Sequence, residues 1–261
     1  MHIAFDSEIL LVTGASKGIG FACARAFARA GARVVGVSRN LDNLHEANRE
    51  LAQEGLSMQV YAADLVDGDV ARRLVEQIEE EVGPIAVLVN SAGAARRYAL
   101  DELGAREFRQ AMDAKYFTYM NTMEPVARSM RERGAGSIVN IVGQGGRQAG
   151  VMHIAGGAAN AGLMLASVGF ARAMADKGVR VNVINPGLTR TTRMEEGLQA
   201  AVRATGRKRE DLLAEQLAGI PMGRAAEPEE IANVALFLAS PLASYVSGAV
   251  IPMDGCATSV I

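Results

Sequence analysis

Short, continuously apolar runs rich in β-branched residues recur along this 261-residue chain at 9–13, 33–37, 58–62, 86–90, 137–142, 180–185 and 249–253. Helix-length amphipathic stretches lie between them, at 19–30, 41–54, 69–82, 105–133 and 153–177. A strand that is apolar on both faces needs cover on both, which a parallel sheet between two helical layers supplies. Strand–helix alternation with right-handed crossovers then gives an α/β, doubly wound three-layer fold around a seven-stranded parallel sheet. One stretch breaks the rhythm: residues 188–223 are polar, arginine-rich and helix-prone. They follow the sixth strand, and ligands of open α/β sheets bind at the carboxyl ends of strands, so this insertion reads as a lid. No repeat or linker divides residues 1–261, which read as a single domain.

The chemistry concentrates where the first strand ends, in Thr13-Gly14-Ala15-Ser16-Lys17-Gly18-Ile19-Gly20. Glycines there allow a tight turn, close backbone approach to a pyrophosphate and close packing of the following helix. The first N–H groups of that helix then face the anion. Position after an apolar strand and before a helix makes this a dinucleotide site rather than a chance glycine cluster.

The octet resembles the TGxxxGxG fingerprint of the short-chain dehydrogenase/reductase (SDR) family, and the similarity runs over nearly the whole chain. The resemblance implies a Rossmann-type, nucleotide-binding fold and a nicotinamide cofactor held by Gly14, Ser16, Lys17, Gly18, Ile19 and Gly20. It also implies an adenine contact at Asp64 and Leu65. Asn90-Ser91-Ala92-Gly93 is similar to the family's NNAG segment, with Ser91 a departure, and places Asn90, Ala92 and Gly93 beside the cofactor. Pro186, Gly187, Thr189 and Thr191 resemble the turn that holds the nicotinamide carboxamide. Such chains usually assemble as homotetramers, and the resemblance implies a homodimer or homotetramer here.

Cofactor choice is read at the end of the second strand, where a carboxylate would bind the ribose 2′-hydroxyl of NAD. This chain has Ser38 there, followed by Arg39, with Lys17 across the loop. Two cations and no anion suit a 2′-phosphate, so NADP(H) is favoured over NAD(H).

The resemblance also predicts an Asn, a Ser and the Tyr and Lys of a YxxxK motif. Alignment of the flanking residues puts Lys115 at the Asn position, Gly143 at the Ser, Gly156 at the Tyr and Asn160 at the Lys. Neither glycine has a side chain to donate a proton, so the family's usual mechanism does not carry over. Lys115 is a candidate replacement acid, its pKa lowered by partial burial. His153, three residues before Gly156, is a second. Tyr98, Tyr116 and Gln144 lie near the expected pocket, and Arg96, Arg97, Arg147, Arg190 and Arg193 around its mouth, where an anionic substrate would explain them. Three functions stay open: an NADP-dependent oxidoreductase acting on a carbonyl, alcohol or activated double bond; a cofactor-binding regulator, sensor or inactive subunit; and a lyase or isomerase reusing the pocket.

A formal net charge of −2 gives no reason to expect nucleic acid or an anionic membrane as partner. Cys23 and Cys256 are too few and too far apart for a disulfide framework or a metal site. The first residues lack the basic and apolar regions of a signal peptide, and no transmembrane helix is expected, so a cytoplasmic protein with a small-molecule substrate and no metal is anticipated.

Overall fold

The computed structural model describes residues 3–93 and 96–259. Strands β1 (Ile9–Thr13), β2 (Arg33–Ser38), β3 (Met58–Ala62), β4 (Ile85–Asn90), β5 (Gly136–Ile141), β6 (Val179–Pro186) and β7 (Val250–Met253) form one parallel sheet. Their order is β3-β2-β1-β4-β5-β6-β7. Alternation along β1 shows why its sequence is apolar throughout: Leu10 and Val12 enter one core, Ile9 and Leu11 the other.

The first core packs β1 against α1 (Gly18–Arg29), α2 (Leu41–Ala52) and α9 (Pro228–Ala239), through Phe21, Phe27, Leu44, Ile231 and Leu238. The second uses α3 (Gly68–Glu81) and α5 (Thr118–Arg133), through Leu74, Ile78, Met123 and Met130. A smaller cluster adds Leu163 and Met164 of α6 (Ile154–Met174). Strand order reverses between β1 and β4, so the loops after these two strands diverge and open a crevice at their carboxyl ends.

Two expected helices differ in detail. Residues 105–133 do not form one helix: α4 (Ala105–Ala111) and α5 are joined by a π turn, Met112–Phe117, whose wider i→i+5 bonding re-aims its side chains. His153 caps α6 from outside, so the helix begins one residue later than expected. With its tail to Lys177, this segment is long and apolar enough to cross a membrane by composition, at a mean hydropathy of 1.4. In the fold it lies along the sheet. Its glycines serve that approach: a Cβ on Gly157 would stand 2.7 Å from the carbonyl oxygen of Gly145 in the loop after β5. The 188–223 stretch forms α7 (Thr192–Thr205) and α8 (Arg209–Ala218), clasped by Arg209 donating twice to Glu195 at 3.0 and 2.6 Å.

Candidate functional site

The glycine loop closes against two other segments. Gly14 has φ +71°, and a Cβ there would lie 2.9 Å from the backbone of Ala92. At Gly20 it would lie 2.2 Å from the carbonyl oxygen of Gly14. Gly18, φ +58°, faces the Thr191 methyl, which a Cβ would meet at 3.3 Å. Only a side-chain-free loop leaves the N-terminus of α1 open beside this junction, with Ser16 and Ile19 partly exposed there. Lys17 caps α1 without a side-chain bond and reaches Glu196 of α7 at 3.7 Å. A turn whose glycines let its backbone pack this closely, ending on a helix N-terminus, fits a dinucleotide's pyrophosphate.

A buried polar thread fixes the rim opposite. Thr13 Oγ1 accepts from Ser91 N and Ala92 N at 3.1 and 3.2 Å and donates to Asn90 Oδ1. Thr122 also donates to Asn90, whose Nδ2 donates to Asn140 at 3.0 Å; Asn140 in turn donates to Ser167 at 2.9 Å. The Asn90 side chain therefore belongs to the sheet, and it serves the cleft by orienting Thr13, whose hydroxyl holds the backbone of residues 91 and 92.

Ser38 ends β2 and donates to the carbonyl of Asn40 at 3.0 Å. Arg39 beside it is exposed and has no carboxylate within ion-pair distance among the described residues. Asp64 is exposed and accepts from Val66 N, while Leu65 is buried beneath it. At the end of β6, Pro186 is buried and Gly187 N donates to Met253. A Cβ on Gly187 would meet Asp254 at 2.7 Å. Buried Thr189 donates to the Gly187 carbonyl, which directs Thr191 onto the glycine loop.

Lys115 sits in the π turn and is 9% exposed. Its Nζ lies 3.5 Å from the Tyr119 hydroxyl, one helical turn on, and 5.0 Å from that ring's centre. Tyr119 is fully buried and donates to the carbonyl of Ile141 at 2.6 Å, which fixes it beside the end of β5. Burial first, and then the charge of Arg193, lowers the Lys115 pKa from 10.5 to about 7.

Gly143 and Asn160 are neighbours: a Cβ on Gly143 would lie 3.4 Å from Asn160 Nδ2. Gly156 and Asn160 are buried in α6, and the His153 ring packs over Gly145. Asn160 Oδ1 and His153 Nδ1 are buried without a hydrogen-bond partner among the described residues. Burial and the charges of Arg97, Lys115 and Arg193 all lower the His153 pKa, so its imidazole is mostly neutral near pH 7.

Other expected residues fall elsewhere. Tyr116 packs edge-on against Phe117 and lines an outer groove with Asp67, Arg72 and Glu124, because the π turn points it away from the Lys115 side. Gln144 donates to Asp254 at 3.2 Å and to Thr258, which ties it to the C-terminal turn. Arg190 pairs with Glu227 at 2.8 Å. Arg96 lies over the Tyr98 ring at 5.7 Å, and Tyr98 donates to Gln110. Arg147 is half-buried after β5. Tyr119 and Thr122 were not singled out from the sequence. The i, i+4 spacing of Lys115 and Tyr119 was the available signal, legible only once their helix face is known.

Known proteins resemble this chain over nearly its whole length. The sequence profile described as Enoyl-(Acyl carrier protein) reductase matches residues 14–258. The chain belongs to the short-chain dehydrogenase/reductase family. At that level this SDR is a nicotinamide-dependent oxidoreductase. It is 36% identical to the galactitol 2-dehydrogenase (L-tagatose-forming) of Cereibacter sphaeroides, over 96% of this chain and 94% of that one. Its fold superposes with a TM-score of 0.91 on YwfH, an NADPH-dependent reductase involved in bacilysin biosynthesis, at 30% identity, covering 98% and 100% of the two chains. An NADPH-bound short-chain oxidoreductase from Pseudomonas aeruginosa PAO1 with an atypical catalytic centre gives 0.88 at 29% identity, covering 99% and 100%.

Proposed function

We propose that this SDR is an NADP(H)-dependent oxidoreductase of a carbonyl, alcohol or activated double bond in which Lys115 replaces the family's proton donor. The observation that carries it is the Lys115 ammonium, buried in the π turn with Tyr119 behind it and a pKa of about 7. A general acid works best with a pKa near the operating pH. Gly143 and Gly156 offer no competing side chain, and the neutral imidazole of His153 is the weaker acid.

A reduced nicotinamide, held by the glycine loop and the turn at Thr189 and Thr191, would supply hydride. In the reducing direction Lys115 then gives a proton from Nζ to the substrate atom that gains negative charge, and the resulting amine takes one back from solvent. Tyr119 holds Nζ in place by accepting its hydrogen bond while donating to Ile141. Preference for NADP is supported by Ser38 and Arg39 at the ribose position, and by NADPH in the solved relatives. The atypical centre of the Pseudomonas relative supports a departure from the usual residues. A cytoplasmic homodimer or homotetramer completes the proposal, supported by exposed Phe117, Leu165 and Val168 along the helices the family uses to assemble.

Lys115→Met tests it. Reduction should fall by about 10²–10⁴, with NADPH affinity within about twofold of wild type. Wild-type turnover should fall as pH rises through about 7, because the acid form is lost, and the variant's residual rate should lack that step. Full activity in Lys115→Met ends the assignment. The loss of side chains at Gly143 and Gly156 favours a second reading, a cofactor-binding regulator, sensor or inactive subunit; NADPH binding with no turnover on ketones, alcohols or enones would establish it.

A further inference from the structure

The buried side-chain atoms that the fold leaves unpaired gather in one place. Among the described residues there are three: His153 Nδ1, Asn160 Oδ1 and Asn185 Oδ1. All three belong to side chains that meet the loop after β5. Asn185 Nδ2 donates to the carbonyl of Val142 at 2.6 Å. Asn160 Nδ2 lies 3.4 Å from where a Cβ on Gly143 would stand and 3.9 Å from one on Gly145. That second position is also 3.5 Å from His153 Nε2. An unpaired buried polar atom costs about 1–3 kcal/mol. Three of them beside one loop are groups left for something other than the fold to use.

Of the three, Asn160 is the one placed to act on a ligand. Asn185 is fully buried, its amide 3.7 Å from Met164 Sδ. The amide of Asn160, 2% exposed, instead faces Gly143 and Gly145, whose lack of side chains leaves that floor bare. Gln144 between them is turned away, to Asp254 and Thr258. This floor lies at the carboxyl end of β5, the end at which open α/β sheets bind ligands. The same strand end carries the support of Lys115: Tyr119, 3.5 Å from Lys115 Nζ, donates to the carbonyl of Ile141, two residues before Gly143. Tyr119 also packs with Val142, Leu163 and Met164 in one buried cluster. Two donors, an ammonium and an amide, are therefore tied to one strand end.

We propose that Asn160 is a catalytic residue whose Nδ2–H donates to the substrate's carbonyl oxygen over Gly143 and steadies the charge that oxygen gains until Lys115 protonates it. This rests on the oxidoreductase reading for the reaction, while the oxygen site stands on the amide and the bare loop beside it. An amide suits the task, because it donates N–H without carrying a charge that burial would penalise. A donor already aimed at a developing oxyanion also acts without reorganising. Oδ1 has no protein partner, so packing in α6, and no structural bond through that atom, holds the amide where it is.

The test uses the full-length, cofactor-loaded protein with cyclohexanone and acetophenone as probes. With NADPH, Asn160→Leu should lower kcat by about 10²–10³, with NADPH affinity within about twofold of wild type. Its melting temperature should be no lower, since a lone buried acceptor gives way to an apolar group of like size. Adding Gly143→Ser to Asn160→Leu should recover about tenfold. Gly143 has φ −55°, which serine adopts, and a Cβ there stands beside the amide it would replace. With NADP+, infrared difference spectra of the isotope-labelled ketones read the hydrogen bond without turnover: the bound carbonyl band should lie at lower frequency in wild type than in Asn160→Leu. That band difference without NADPH oxidation would support the oxygen site and count against the oxidoreductase reading alone. Equal bands in the two proteins, no bound carbonyl with either probe, or turnover lost in Lys115→Met and kept in Asn160→Leu overturns the proposal. So does an Asn160→Leu variant that weakens NADPH and leaves the band in place, since the amide would then serve the cofactor. A lowered melting temperature without rescue by Gly143→Ser overturns it as well, by making the amide structural.

Discussion

At the residue scale, Lys115 links the chemistry of the site to the stability of the fold. Its pKa falls from 10.5 in the unfolded chain to about 7 in the folded one. Between those values the unfolded state binds the extra proton, so the Lys115 contribution to stability rises with pH. Below about pH 7 both states are protonated and the full desolvation penalty is felt. Lys115→Met should therefore be more stable than wild type at pH 6.5, by on the order of a few kcal/mol, with the gap narrowing towards pH 9.5. Chemical denaturation at the two pH values measures this, and parallel pH curves would contradict a buried, shifted lysine. The identity of this residue was readable in the sequence, and its partial burial was expected there. Its Tyr119 support was not, because it depends on how the helix turns.

At the element scale, the π turn is what the sequence concealed. Met112–Phe117 contains no proline or glycine, and its apolar spacing runs on smoothly into α5, so the periodicity shows an unbroken helix. The cause lies outside the segment. Gly93 has φ +95°, and a Cβ there would stand 2.0 Å from the carbonyl oxygen of Ala114. The loop after β4 thus presses directly on the π turn, an approach that local propensity cannot encode. Gly93→Ala should strain both, destabilising the protein by about 1–3 kcal/mol and reducing turnover. Thermal unfolding with parallel kinetics checks it; an unchanged melting temperature would mean the contact relaxes at little cost. The glycine loop, by contrast, was legible because its constraint is local: Gly14, Gly18 and Gly20 sit in a tight turn between strand and helix.

For the molecule as a whole, seven strands running parallel followed from hydrophobic pattern, since both faces of the central strands are buried. The crevice between β1 and β4 is a consequence of that topology, and cofactor binding should be visible as added global stability. Saturation with NADPH at about 100 times its dissociation constant should add roughly 2.7 kcal/mol, a rise in melting temperature of about 5–10 °C. NADH should give less, and Arg39→Glu should narrow or invert the difference. No shift with either nucleotide would leave the fold without its cofactor. Substrate identity was never in the pattern, because it depends on which side chains from distant loops meet.

Four glycines lie within α6, at 156, 157, 162 and 169. Each weakens a helix by about 1 kcal/mol relative to alanine, so in isolation this segment would hardly hold its shape. It is ordered by what leans on it: the loop after β5 on one side and Leu163 in the core on another. Transient fraying of this helix and occupancy of the cleft beside it are therefore linked equilibria. A ligand seated near Gly143 and His153 would suppress the fraying, so order at the floor of the site would be conferred in part by whatever binds there.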